Sequence, residues 1–149
     1  MFSTQPLLLN THWVIEGGVR EQVLIVRRTA NPYASVSEVR SAFDAVKRVV
    51  DPLERSAMSV LVDMRLAPPR DDPEFERAAG DQPKYLSRDF RRSAVLIRTA
   101  TGLLHVQRHM QALGLPLTVF NDEQQAFDYV RGRWEPPSVR PNPASRRGP

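Results

Sequence analysis

His105 and His109 stand four residues apart in the segment LLHVQRHM. On a helix that spacing sends both imidazoles to one side, where they could hold a divalent cation as paired histidines do in zinc sites. The pattern stops there. No glutamate follows the first histidine as in metalloproteases, the chain has no cysteine, and a third ligand would have to be His12 or a distant carboxylate. The plainer interpretation sets both rings opposite an apolar stripe of Leu103, Val106 and Met110, and neither a metal nor another cofactor is expected.

A second group is Asp63 and Arg65, which end an apolar run, with Arg70, Asp71, Asp72 and Phe75 following within twelve residues. In α/β sheets the ligand crevice lies beyond the carboxyl ends of the strands, so this is the segment where a site would form. A carboxylate beside arginines can act as a general base or as half of an anion clamp. It can equally accept loop amides while the arginine pairs with an acid, and that structural or partner-docking role is the expectation. Thr99, Thr101 and Gly102 after the run Ala94 to Ile97 could offer amides and a hydroxyl to an anion at a helix start. With one glycine, a simple N-cap is the expectation.

Other chemistries have no support. The sequence contains no GxGxxG, GxxxxGK[ST] or GxSxG, which removes the signatures of dinucleotide binding, the P-loop and the hydrolase elbow. Zero cysteines exclude disulfides and thiolate chemistry. The net charge of +4 comes from 21 basic and 17 acidic residues, and only Lys47 and Lys84 are lysines. Glu135 to Pro149 carries three arginines, one acid and five prolines, and is expected to be a disordered tail. Residues 1–134 then keep 18 basic and 16 acidic groups. The pairs Arg27 and Arg28, Arg91 and Arg92, and Arg131 and Arg133 read as solvated charge, so no specific nucleic-acid binding is expected. Apolar runs such as Leu7 to Leu9 and Val23 to Val26 are far short of a membrane span of about 20 residues. Met1 to Asn10 lacks the basic start and long apolar segment of a signal peptide, so a cytoplasmic protein is expected.

Residues 1–134 read as one domain in which strand and helix patterns alternate. Trp13 to Glu16 and Glu21 to Arg28 form a hairpin turning on Gly17 and Gly18. Ser35 and Glu38 make a capping box, and Val36, Val39, Phe43, Val46 and Val50 stripe the helix that follows. Ser59 to Met64 is a central strand. Asp72 and Pro73 start a helix that Gly80 and Pro83 kink or restart, with Asp81 as cap and Tyr85, Leu86 and Phe90 inside it. Ala94 to Ile97 and Leu117 to Phe120 are strands. Between them runs a helix ending at Gly114, and the last helix opens at Asn121. The sum is an α/β fold with a mixed, mainly parallel sheet of about five strands and four helices.

In its element order and in the segments VLVDMR (60–65), DDPEFE (71–76), FRRSAVLIRTATGLLHVQRHM (90–110) and FNDEQQAFDYV (120–130), the chain resembles the STAS domain superfamily. The nearer resemblance is to SpoIIAA-like proteins of STAS/SEC14 type, across about residues 11 to 132. The resemblance implies a regulatory module without enzymatic activity that binds a protein partner. That partner would dock on Asp63 to Phe75 together with the helix Ser37 to Val50. The alternative it implies is a module holding a small apolar or anionic ligand, with a cavity near Tyr85, Phe90 and Leu104. Oligomeric state is not legible. In anti-sigma-factor antagonists of this superfamily a phosphorylated serine opens the helix after the third strand. From Met64 to Leu86 this chain has no Ser or Thr, and the matching position holds Arg70, Asp71 and Asp72. The phosphorylation switch is therefore expected to be absent, with two carboxylates capping the helix or standing in for a permanent phosphate.

Overall fold

The computed structural model describes residues 4–18, 22–69 and 72–133. Arg70, Asp71 and the Pro-rich tail lie outside them. Six strands form one sheet in sequential order: β1 (Thr4–Leu9), β2 (Trp13–Gly18), β3 (Val23–Arg28), β4 (Ser59–Asp63), β5 (Ser93–Leu96) and β6 (Thr118–Phe120). β1, β2 and β3 pair antiparallel, and β3 through β6 pair parallel. The α/β class is as expected. The sheet has one strand more than expected, and its antiparallel share is two pairs of five.

The extra strand is β1, whose Leu7 to Leu9 is too short an apolar run to announce itself. It is an edge strand carrying Pro6 and a register break between Pro6 and Leu8, both of which discourage further pairing. Gly17 and Gly18 are not the turn. They close β2 opposite Leu24 and Val23. A Cβ on Gly17 would lie 3.2 Å from Leu7 Cδ1, so this glycine admits the β1 side chain. Among the described residues next to this connection, Gln22 takes a left-handed φ of 52°.

Helix α1 (Val36–Val50) follows its stripe closely, burying Val39, Ala42, Phe43, Val46 and Val50. Ser35 Oγ accepts from Glu38 N at 3.2 Å, one half of the expected capping box, while Glu38 Oε1 accepts from Ala34 N at 3.2 Å and not from Ser35 N. The kinked segment is two helices, α2 (Pro73–Ala79) and α3 (Gln82–Ser87), because Pro83 fits the first turn of a new helix and not the interior of an old one. Phe90 falls beyond α3. Asp72 caps α2 by accepting from Glu74 N at 2.9 Å. Helix α4 (Ala100–Ala112) ends at Gly114, which takes φ 66°. Helix α5 (Glu123–Val130) is capped by Asp122, one residue later than Asn121.

Parallel strands added in sequential order with right-handed crossovers place every crossover helix on one side of the sheet. Leu24, Val26, Val60, Val62 and Val95 accordingly point toward α1 and α3, with Val106 of α4 packed against the same cluster. Val23, Ile25, Leu61, Ala94 and Leu96 point to the opposite face, which α5 covers with Ala126 and Val130. The cover is uneven. Of thirteen residues in α4 only Met110 is buried, and Leu104 and Leu113 are exposed.

Candidate functional site

The strand period of two decides the environment of Asp63, because its neighbours Val62 and Met64 face the crossover helices and Asp63 faces the α5 side. There it is 7% exposed. Asp63 Oδ1 accepts from Arg65 N at 3.1 Å and Arg65 Nε at 3.0 Å, and Oδ2 accepts from Arg65 Nη2 at 2.9 Å. Arg27 Nε approaches Asp63 Oδ2 at 3.5 Å and donates from Nη1 to Glu16 at 2.6 Å, while Arg65 Nη1 donates to Glu123 of α5 at 3.2 Å. Burial pushes the Asp63 carboxyl up, but the Arg65 hydrogen bonds and the charges of Arg65 and Arg27 outweigh it and hold it below the usual carboxylate range. The same bonds push Arg65 up. A carboxylate so stabilised is a weak proton acceptor, and no histidine joins it within the ion-pair network. The geometry is that of a clasp tying β2, β3, β4 and α5.

The other expected site residues go elsewhere. Asp72 and Phe75 border a cleft of about 250 Å³ with Pro68, Pro69, Tyr33 and Arg28. Arg28 is 2% exposed, lies 4.3 Å over the Tyr33 ring and donates to Thr29 O at 2.8 Å, so its expectation as solvated charge is corrected: strand alternation turns it inward. Arg27 is half-buried and paired. Thr99 caps α4, its Oγ1 accepting from Gly102 N at 3.0 Å, and Thr101 is exposed in the first turn. The expected binding residues that are described therefore divide among three places: Asp63 and Arg65 toward α5, Asp72 and Phe75 near Arg28, and the threonines at the start of α4.

Beneath the thinly packed α4 lies a cavity of about 430 Å³. Its floor is Val62, Met64, Val95, Ile97 and Leu117, with Trp13 at one end. Its roof is Ala79, Pro83 and Leu86 from α2 and α3 and Val106 and Met110 from α4. The volume is within the range of small-molecule sites. Gln82, His105 and His109 also line it. Gln82 is 8% exposed, and its amide makes no hydrogen bond among the described residues. Neither His105 nor His109 has a protein partner there. By contrast, the Nε2 of His12 lies 2.9 Å from Glu38 Oε1 and the ring stacks on Tyr33.

The histidines are thus corrected from opposite the apolar stripe to its flank. At about 100° per residue His109 lies only about 60° from Val106, near enough to look under the helix. Among the described residues no group of three or more His, Cys, Asp or Glu could hold a metal with them. The cavity is also not where it was expected. Tyr85 instead donates to Asp51, stacks beneath Arg55 and borders a polar groove between α1 and α3. Burial, then the Asp51 bond, pushes its phenol up. Phe90 and Leu104 do not line the cavity. Gln82 was overlooked, yet its spacing from Ala79 and Leu86, three before and four after, places it on their buried face.

Compared with family models, curated proteins and solved structures, the chain has no match in any of the three. No helix among the described residues is long and apolar enough to cross a membrane.

Proposed function

We propose that the protein is a non-enzymatic binding module that holds a small, mainly apolar ligand between β4, β5 and the helices α3 and α4. The observation that carries this is the cavity of about 430 Å³ with apolar walls, whose polar side chains Gln82, His105 and His109 have no partner among the described residues. Catalysis draws no comparable support, because Asp63 is committed to Arg65 and faces away from the cavity.

The test is a titration with N-phenyl-1-naphthylamine, an uncharged apolar dye that brightens in apolar sites. Saturable binding at one site is expected, and Val106→Phe, which fills the cavity from α4, abolishes it while circular dichroism is unchanged. No saturable binding to the native chain, or equal binding to the variant, overturns the proposal.

A STAS-like interaction module remains the second reading. It is favoured by the order of strands and helices and by Leu66, 61% exposed on the loop after β4 that leads to Asp72 and Phe75. In that reading the module is cytoplasmic, and the carboxylate at the start of α2 takes the place of a switchable phosphate.

A further inference from the structure

We infer that the ligand is an amphiphilic monocarboxylate, its carboxylate held by His105 and His109 and its hydrocarbon lying on Val62, Val95 and Met110; this rests on the ligand-binding reading above. Three observations carry it. First, the hydrogen-bonding side chains left open in the lining are an amide and two imidazoles, each able to donate an N–H, and no Asp or Glu lines the cavity to repel an anion. An oxygen-rich, acceptor-only group is the complement of that set.

Second, the polar groups are not spread evenly. His105 and His109 lie one turn apart on α4 and are exposed, so they stand at the opening, whereas the sheet floor is wholly apolar. Residues at that spacing sit about 5 to 6 Å apart at Cβ, close enough for two rings to reach the two oxygens of one carboxylate. The arrangement is a polar mouth over an apolar well, which selects a molecule with one polar end.

Third, Gln82 is more than nine-tenths buried and makes no hydrogen bond among the described residues. Its amide atoms keep access to open space, in the cavity wall and at the edge of the polar groove between α1 and α3, so they are free to meet a polar atom of a guest. The volume of about 430 Å³ corresponds to roughly 14 water-sized units of about 30 Å³, which suits a chain of about ten carbons and is too small for a two-chain lipid.

The test is displacement of N-phenyl-1-naphthylamine from the full-length protein by decanoate and by 1-decanol, which share a tail and differ in head. Decanoate is expected to displace the dye at a concentration at least about tenfold lower, the effect of charge-assisted hydrogen bonds to one end. In His105→Ala/His109→Ala, which removes both donors at exposed positions, the decanol value stays and the preference for decanoate falls to within about twofold. Equal displacement by the two compounds in the native protein, or a preference that survives the double substitution, overturns the carboxylate assignment. Absence of dye binding is a different result and sinks the ligand-binding reading itself.

Discussion

Replacing Gln82 with methionine is expected to stabilise the unliganded protein. The side chain is 8% exposed, lines the cavity and makes no hydrogen bond among the described residues. Methionine is close in length and flexibility, and its thioether needs no partner. A fully desolvated amide without a bond costs about 1 to 3 kcal/mol, and only a fraction of that applies here because the Gln82 amide atoms reach open space in the cavity and the neighbouring polar groove. Position 82 is the first residue of α3, where methionine and glutamine have similar helix propensities, so the backbone adds nothing. The net gain is about 0.5 kcal/mol, or roughly 2 °C in Tm for a domain of this size. Urea unfolding with an unchanged slope and differential scanning calorimetry would measure it. A loss of 1 kcal/mol or more would refute the reasoning, since it requires an amide already satisfied in the native fold.

Asp63→Asn is expected to destabilise by about 2 to 3 kcal/mol in urea, because it leaves Arg65 and Arg27 without their shared anion. The native carboxyl titrates below its unfolded value near 4, so its contribution is complete above that pH and is lost as pH falls through the lower folded value. The difference between native and variant stability should therefore shrink below about pH 4; a difference that is constant across acid pH contradicts the clasp. Gly102→Ala should cost about 1 kcal/mol net in urea unfolding, because a Cβ there would lie 2.9 Å from both Ile97 Cγ2 and the capping Thr99 Oγ1, and displacing that cap outweighs the helix-propensity gain of up to about 1 kcal/mol. A neutral result would show that α4 shifts freely.

Elements whose local chemistry agrees with their packing were legible in the sequence. The Ser35 capping box and the Val39, Phe43, Val46, Val50 stripe defined α1, and the uninterrupted SVLVD defined the central strand β4. Gly114 marked the end of α4. What failed did so where tertiary structure decides. The six residues of β1 hold their place by pairing with β2, a long-range fact that Leu7 to Leu9 cannot express. Gly17 reads as a turn in the sequence because its need for space comes from a side chain ten residues earlier. Asp63 and Arg65 stand out in the sequence as neighbours at a strand end, but their further partners Arg27 and Glu123 are 36 residues before Asp63 and 58 residues after Arg65. Arg28 looked solvated beside Arg27 until strand alternation is followed through the pair. The cavity was the least legible feature. It is a gap left by a helix that packs thinly, and sequence patterns record the apolar residues around such a gap without recording that it is unfilled.

The most direct measurement is methyl NMR of the protein saturated with 1-decanol. Shift changes are expected to concentrate on the methyl groups of Val62, Val95, Ile97 and Val106, with Val23, Ile25 and Leu61 on the α5 side of the sheet undisturbed. Shifts confined to the α5 side, or scattered over surface methyls such as those of Leu9 and Leu66, would contradict it.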